Sequence, residues 1–181
     1  MILRLASKTV YANRWMTVRE DRVRFQNGTE GIYGVVEKPD FALIIPFEND
    51  GFHLVRQFRY PIGKESWEFP QGSIESNEID PLTAAHRELE EETGLIATEM
   101  TALGFLYEAN GYCTQGFHIL LADSLTKGSG KVNLEDSESG MICQWFSLSD
   151  FESMLDRAEI RDAPTVAAFS LFLRRQTRDK S

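Results

Sequence analysis

Cysteine is scarce: Cys113 and Cys143 are the only two among 181 residues. They lack metal-ligand spacing, so the composition argues against a secreted disulfide scaffold and predicts two reduced, core-type thiols in a cytoplasmic protein. Positive charge is also short. Nineteen Lys and Arg face 28 Asp and Glu, a net charge of −9, which removes any electrostatic basis for binding a nucleic-acid backbone or an acidic lipid surface. Long apolar runs are missing too. Lys or Arg interrupts every candidate span, and the stretch from Met1 to Lys8 is too short for a secretion signal, so neither membrane nor nucleic acid is an expected partner. Repeats and low-complexity tracts are absent. So acidic a chain binds an anionic small molecule only where local Arg groups or a multivalent cation neutralise it.

What is present suits a globular core: 12 Phe, 3 Trp and 5 Tyr. Segments 8–20, 21–26 and 31–38 alternate apolar and polar residues, and Asn27-Gly28 marks a hairpin between two of them. Pro39-Asp40 punctuates the chain before Phe41 to Ile45, a buried strand, and Glu48 to Gly51 turns it into the alternating stretch Phe52–Tyr60. Strands are expected at 102–108 and 116–122 around the loop 109–114. A flexible turn is expected at 127–130, a last strand at 141–146, and helices at 149–158 and 163–175. Val166, Ala167, Phe169, Ser170, Leu171 and Leu173 form the apolar stripe of the last helix. Strands and helices interleaved with hairpins point to a mixed α/β sandwich rather than a doubly wound parallel sheet.

The best-marked helix runs from Asp80-Pro81, an acceptor followed by proline at the first helical position, to Gly94, suited to a left-handed cap. Glu88, Glu91 and Glu92 stand at i, i+3 and i+4 and share one face, with Leu82, Ala85 and Leu89 opposite as the core side. Like charges at that spacing are mildly unfavourable on an exposed helix, and a divalent cation reverses the sign. Carboxylate oxygens are hard ligands, suited to Mg²⁺ or Mn²⁺ rather than zinc. Arg87 can pair with Glu90 or Glu91 one turn along.

Upstream lies Trp67-Glu-Phe-Pro-Gln-Gly-Ser-Ile-Glu75. Together, Gly72, Glu78, Arg87, Glu88, Leu89, Glu91, Glu92, Gly94 and Leu95 resemble the Nudix box of the Nudix hydrolase superfamily, with eight residues instead of seven between Glu78 and Arg87. The resemblance implies an α/β/α sandwich with a mixed sheet and hydrolysis of a diphosphate linked to another moiety. It also implies metal ligands at Glu88, Glu91 and Glu92, joined by the main-chain carbonyl of Gln71 or Gly72. Arg56 to Pro61, Trp67 to Pro70 and Ile160 to Ala167 are similar to the branch of ADP-ribose pyrophosphatases and nucleoside-diphosphate-sugar hydrolases. Two departures stand out: Gln71 where that branch commonly has Ala, and Ala109-Asn-Gly111 where it commonly places a proline.

The branch resemblance implies Mg²⁺-dependent cleavage of ADP-ribose to AMP and ribose 5-phosphate. Gln71 keeps dinucleoside polyphosphates open beside other sugar nucleotides, and a non-catalytic nucleotide sensor is the reading from another class. The branch resemblance also implies an amino-terminal β extension, 1–40, that makes a homodimer and helps shape the partner's site, beside a hydrolase domain at 41–181. Arg56 and Arg59 are both candidates for substrate binding; three apart on a strand, they face opposite ways, and Arg56 is preferred as the bidentate phosphate clamp. Trp15 and Tyr33 are candidates to stack on adenine. For the general base, related enzymes draw a glutamate from a late acidic loop, here 134–140, and Glu138 is preferred to Glu135. His53, His86 and His118 are read as structural.

Overall fold

The computed structural model describes residues 1–75, 80–128 and 140–179. The chain divides into two compact units, Met1–Asp40 with Tyr107–Phe117, and Phe41–Leu106 with His118–Ser181.

The first unit is an antiparallel sheet of β1 (Leu3–Ala12), β2 (Thr17–Arg24) and β3 (Glu30–Glu37). Gly28, at φ 86°, turns β2 into β3 at the expected Asn27-Gly28 site. Between β1 and β2 the expected continuous segment 8–20 is instead folded back on itself. Asn13 Oδ1 accepts from the main-chain N–H groups of Trp15 and Met16, each at 2.9 Å, and closes a turn that contains no Gly or Pro to announce it. The excursion Tyr107–Phe117 belongs to the same unit. Val36 N–H donates to Tyr112 O at 2.8 Å, Thr114 N–H donates to Val36 O at 2.9 Å, and the Tyr33 hydroxyl donates to Gly111 O. Tyr33 is therefore committed to this loop. Large apolar side chains such as Val10, Tyr11 and Ile32 remain exposed on this sheet.

The second unit holds a sheet with the order β10-β5-β4-β9-β8, formed by Ile142–Ser147, Gly51–Arg59, Phe41–Glu48, Gly116–Lys127 and Leu95–Tyr107, respectively. Two short strands complete it: β6 (Lys64–Glu68) on β5 and β7 (Gln71–Ser73) on β4. Neither was expected from the sequence. Gly63, at φ 62°, ends a single 3-10 turn at Tyr60–Ile62 and returns the chain along β5, a pairing that depends on a partner strand rather than on local pattern.

Alternation along β4 separates two cores. Ala42 and Ile44 face α1 (Pro81–Thr93) and pack with Ala84, Ala85 and Leu89. Phe47, of opposite parity, meets Phe172 of α3 (Ala163–Asp179) at 4.9 Å between ring centroids. There Phe52 lies 5.0 Å from Phe151 of α2 (Leu148–Asp156) and 5.1 Å from Phe172. The unit is thus a mixed α/β structure with helices on both faces of the sheet.

Three packing expectations change. Along α3 the buried stripe is Thr165, Ala168, Phe169 and Phe172, while Val166 and Leu173 are exposed. The helix phase follows the larger Phe rings and the Asp162–Thr165 cap. Leu82 is exposed, and the core side of α1 begins at Ala84. The cysteines are not core thiols: Cys113 is half-buried in the 107–117 excursion, and Cys143 is exposed on β10, an end strand of the sheet.

Candidate active site

The site is built where α1 passes β7. Local chemistry fixes the helix limits: Asp80 Oδ1 accepts from Thr83 N–H at 2.8 Å, Pro81 occupies the first turn, and Gly94 at φ 71° donates back to Glu90 O at 2.9 Å. The buried stripe of α1 is Ala84, Ala85, Glu88, Leu89 and Glu92. Two carboxylates thus continue an apolar face, so the acidic side is turned inward rather than toward solvent. Glu88 is 7% exposed and Glu92 3%. Buried carboxylates without partners are costly, and each of these has one supplied by the chain.

Glu92 finds its partner on β7 and Glu88 finds its own in Arg87; β7 pairs with Phe41–Leu43 and is held by the bond from Ile44 N–H to Pro70 O. Gln71 N–H donates to Glu92 Oε2 at 3.0 Å. Gly72 lies against the Glu88 carboxylate so closely that a Cβ there would overlap it. Ser73 O accepts from Arg87 Nη2 at 3.0 Å. The other amino group of Arg87, Nη1, donates to Glu88 Oε1 at 2.7 Å and to Glu91 Oε2 at 3.0 Å. Glu91 is therefore the expected Arg87 partner, and Glu88 an additional one.

A guanidinium already bridges two of the three carboxylates, so the helix face is organised around positive charge. Among the described residues no group of three His, Cys, Asp or Glu is arranged to hold a metal ion. The donor set nonetheless fits a hard divalent cation, being carboxylate oxygen throughout, with the Gly72 position kept clear for the Glu88 carboxylate.

A second group adjoins the first. Glu68, 2% exposed, accepts from Arg59 Nε at 3.0 Å through Oε1, while its Oε2 accepts from Arg59 Nη2 and from Gln71 Nε2, the latter at 2.8 Å. Burial lowers the affinity of Arg59 for its proton, but the hydrogen bonds and charge of Glu68, with Asp162 and Glu92 further off, outweigh this and raise its pKa. Asp162 shows the reverse balance. Burial, then the charge of Glu68, raises its carboxyl against the two bonds that it accepts from Thr165. Thr165 Oγ1 in turn accepts from Phe69 N–H at 2.9 Å, which ties the start of α3 to the link between β6 and β7.

The two candidate arginines separate as their strand spacing requires. Arg56 pairs with Glu65 at 3.1 Å and lies 5.4 Å from the Trp67 ring, whereas Arg59 takes the buried Glu68 beside Gln71. Sequence reasoning missed Glu68 and Asp162. The available signal was an acidic residue lodged between Trp67 and Phe69, inside an apolar stretch. Trp15 belongs to the first unit and is exposed, with the Arg14 guanidinium 4.1 Å from its ring. Glu78, Glu135 and Glu138 lie outside the described residues. No helix among the described residues is long and apolar enough to cross a membrane.

Comparison with known proteins agrees with this architecture. A family model described as "NUDIX domain" matches residues 37–169, and one described as "Nucleoside diphosphate sugar hydrolase N-terminal domain" matches residues 3–36. The chain is 27% identical over 165 residues to an ADP-ribose pyrophosphatase of Bacillus subtilis, covering 91% of this chain and 88% of that protein. It is 31% identical over 175 residues to the ADP compounds hydrolase NudE of Escherichia coli, covering 93% and 89%. A crystal structure of an ADP compounds hydrolase superposes with a TM-score of 0.86 at 25% identity, covering 99% of this chain and 96% of that one. The chain belongs to the NUDIX-domain family of pyrophosphohydrolases.

Proposed function

We propose that the protein hydrolyses the pyrophosphate bond of an ADP-sugar, first of all ADP-ribose, to AMP and ribose 5-phosphate, using Mg²⁺. One observation carries the catalytic part of this reading: Glu88 and Glu92 are held buried against Gln71 and Gly72 while Arg87 spans Glu88 and Glu91. The names of the B. subtilis and E. coli relatives support the substrate class. Nudix hydrolases use a divalent metal; here Glu88, Glu91 and Glu92 with the carbonyl of Gln71 or Gly72 would hold it. When bound, Mg²⁺ supplies charge to the pyrophosphate oxygens and lowers the pKa of a coordinated water.

The chain's own groups do the rest. Arg87 keeps the Glu88 and Glu91 carboxylates oriented. Arg59 replaces Arg56 as the preferred phosphate grip: Glu68 fixes its Nε and Nη2 side, and Nη1 has no hydrogen-bond partner among the described residues. An arginine held this way meets a phosphate oxygen with little ordering cost. Trp15 offers an exposed indole for the adenine ring of substrate in the partner's site, and Glu138 is the proposed general base. The exposed apolar side chains of the first unit support a homodimer formed through β1–β3.

Incubating the full chain with Mg²⁺ and a panel of nucleoside-diphosphate sugars and dinucleoside polyphosphates tests this. AMP and ribose 5-phosphate should form, with the highest kcat/KM for ADP-ribose. Faster cleavage of a dinucleoside polyphosphate would move the substrate assignment, and no cleavage of any diphosphate would end the enzymatic one.

A further inference from the structure

We infer that the side chain of Gln71 is a positioning residue for substrate, acting through Glu68 on the guanidinium of Arg59. The inference deepens the proposed function and rests on its assignment of Arg59 to a phosphate. Glu68 Oε2 accepts from Arg59 Nη2 and from Gln71 Nε2, the latter at 2.8 Å. Both Glu68 oxygens accept from the Arg59 guanidinium, so the carboxylate meets Gln71 as an acceptor and the amide presents its NH₂ end. The opposite end, Gln71 Oε1, is buried without a hydrogen-bond partner among the described residues. A side chain present only to fill space would not leave its carbonyl in that state; the bond to Glu68 is what holds it.

The main chain of the same residue donates to Glu92 Oε2 at 3.0 Å. Gln71 therefore joins two buried carboxylates, one on the acidic helix and one that anchors the arginine. Alanine at this position would keep the main-chain bond and lose only the side-chain one. Glu68 would then share its hydrogen bonds with Arg59 alone, whose side chain is 39% exposed, and the pair would be free to turn together. The metal-binding carboxylates would stay in place. The loss should fall on substrate binding and spare the chemical step.

The test compares the full-length wild type with Gln71→Ala, Glu68→Gln and the double variant Glu68→Gln/Gln71→Ala, using ADP-ribose and Mg²⁺. Gln71→Ala should raise KM by about three- to tenfold, the scale of one hydrogen bond, with kcat within about twofold. In the Glu68→Gln background it should add nothing. A purely structural role would lower stability without this split between KM and kcat and without dependence on Glu68. Wild-type KM in Gln71→Ala, or an undiminished further loss in the Glu68→Gln background, overturns the inference. Calorimetric binding of ADP-ribose in EDTA separates the two levels. If wild type neither binds nor cleaves, the proposed function falls and takes the inference with it; if wild type does both and Gln71→Ala is unchanged, the inference alone falls.

Discussion

Replacing Gly72 by alanine probes the junction of β7 and α1 with a single methyl group. An ideal Cβ at this position would stand nearer than 3.0 Å to both carboxylate oxygens of Glu88 and to its Cδ. Contact at the normal 3.4 Å requires the Glu88 oxygen, 2.0 Å away, to retreat by about 1.4 Å, and a displacement of about 1 Å already costs about 10²-fold when it misplaces a catalytic group. Glu88 cannot retreat freely. It is 7% exposed, and Arg87 Nη1 holds its Oε1 at 2.7 Å. Part of the strain therefore appears as lost stability, about 1–3 kcal/mol for overpacking, or about 2–12 °C in Tm for a chain of this size. Steady-state release of AMP from ADP-ribose gives kcat, and a thermal melt of the same samples shows whether the variant is folded. Wild-type kcat and wild-type Mg²⁺ requirement in a folded Gly72→Ala protein would refute the claim that Glu88 works from its seat on β7.

Other perturbations separate the functional from the structural carboxylates. Glu91, half-exposed and bound to Arg87, is proposed as a metal ligand but does little to hold the core, so Glu91→Gln should reduce kcat by orders of magnitude while Tm changes little. Unchanged turnover would remove Glu91 from the ligand set. Phe52→Ala should cost about 3–5 kcal/mol in denaturant unfolding, because Phe52 is fully buried against Phe69, Phe151, Phe169 and Phe172. A loss below about 1 kcal/mol would contradict that packing. The Asp80 cap should show itself in pH dependence. Its carboxyl lies below the ordinary 3.8 because it accepts the Thr83 N–H and then the Thr83 hydroxyl, so its contribution is present above that value and fades as pH falls through the lower folded one. The Tm gap between wild type and Asp80→Ala should be full at neutral pH and shrink as the pH falls below the ordinary 3.8; a gap independent of pH would contradict the cap.

How much of this was legible in the chain depended on whether the determining contacts were local. The limits of α1 follow from Asp80, Pro81 and Gly94, whose effects reach only a turn, and the structure ends the helix at those residues. The Asn27-Gly28 and Glu48–Gly51 turns are local for the same reason. The strands β6 and β7 exist because β5 and β4 accept them, and no window around 64–73 contains that information. The inward turn of the acidic face was hidden for a related reason: periodicity groups Glu88, Glu91 and Glu92, but only β7 determines that Glu88 and Glu92 lie beneath a strand. Arg59 and Glu68 lie nine positions apart and meet only across the β5–β6 hairpin, which is why strand alternation separated Arg56 from Arg59 without indicating which one holds a buried partner.

Titrating the full chain with Mn²⁺, followed by the loss of the free-ion paramagnetic signal in the presence of AMP, tests the central claim most directly. The wild type should take up the ion, and Glu88→Gln and Glu92→Gln should each weaken uptake by about tenfold or more. No uptake by the wild type, or equal uptake by folded variants, would contradict the assignment of a divalent cation to this helix face.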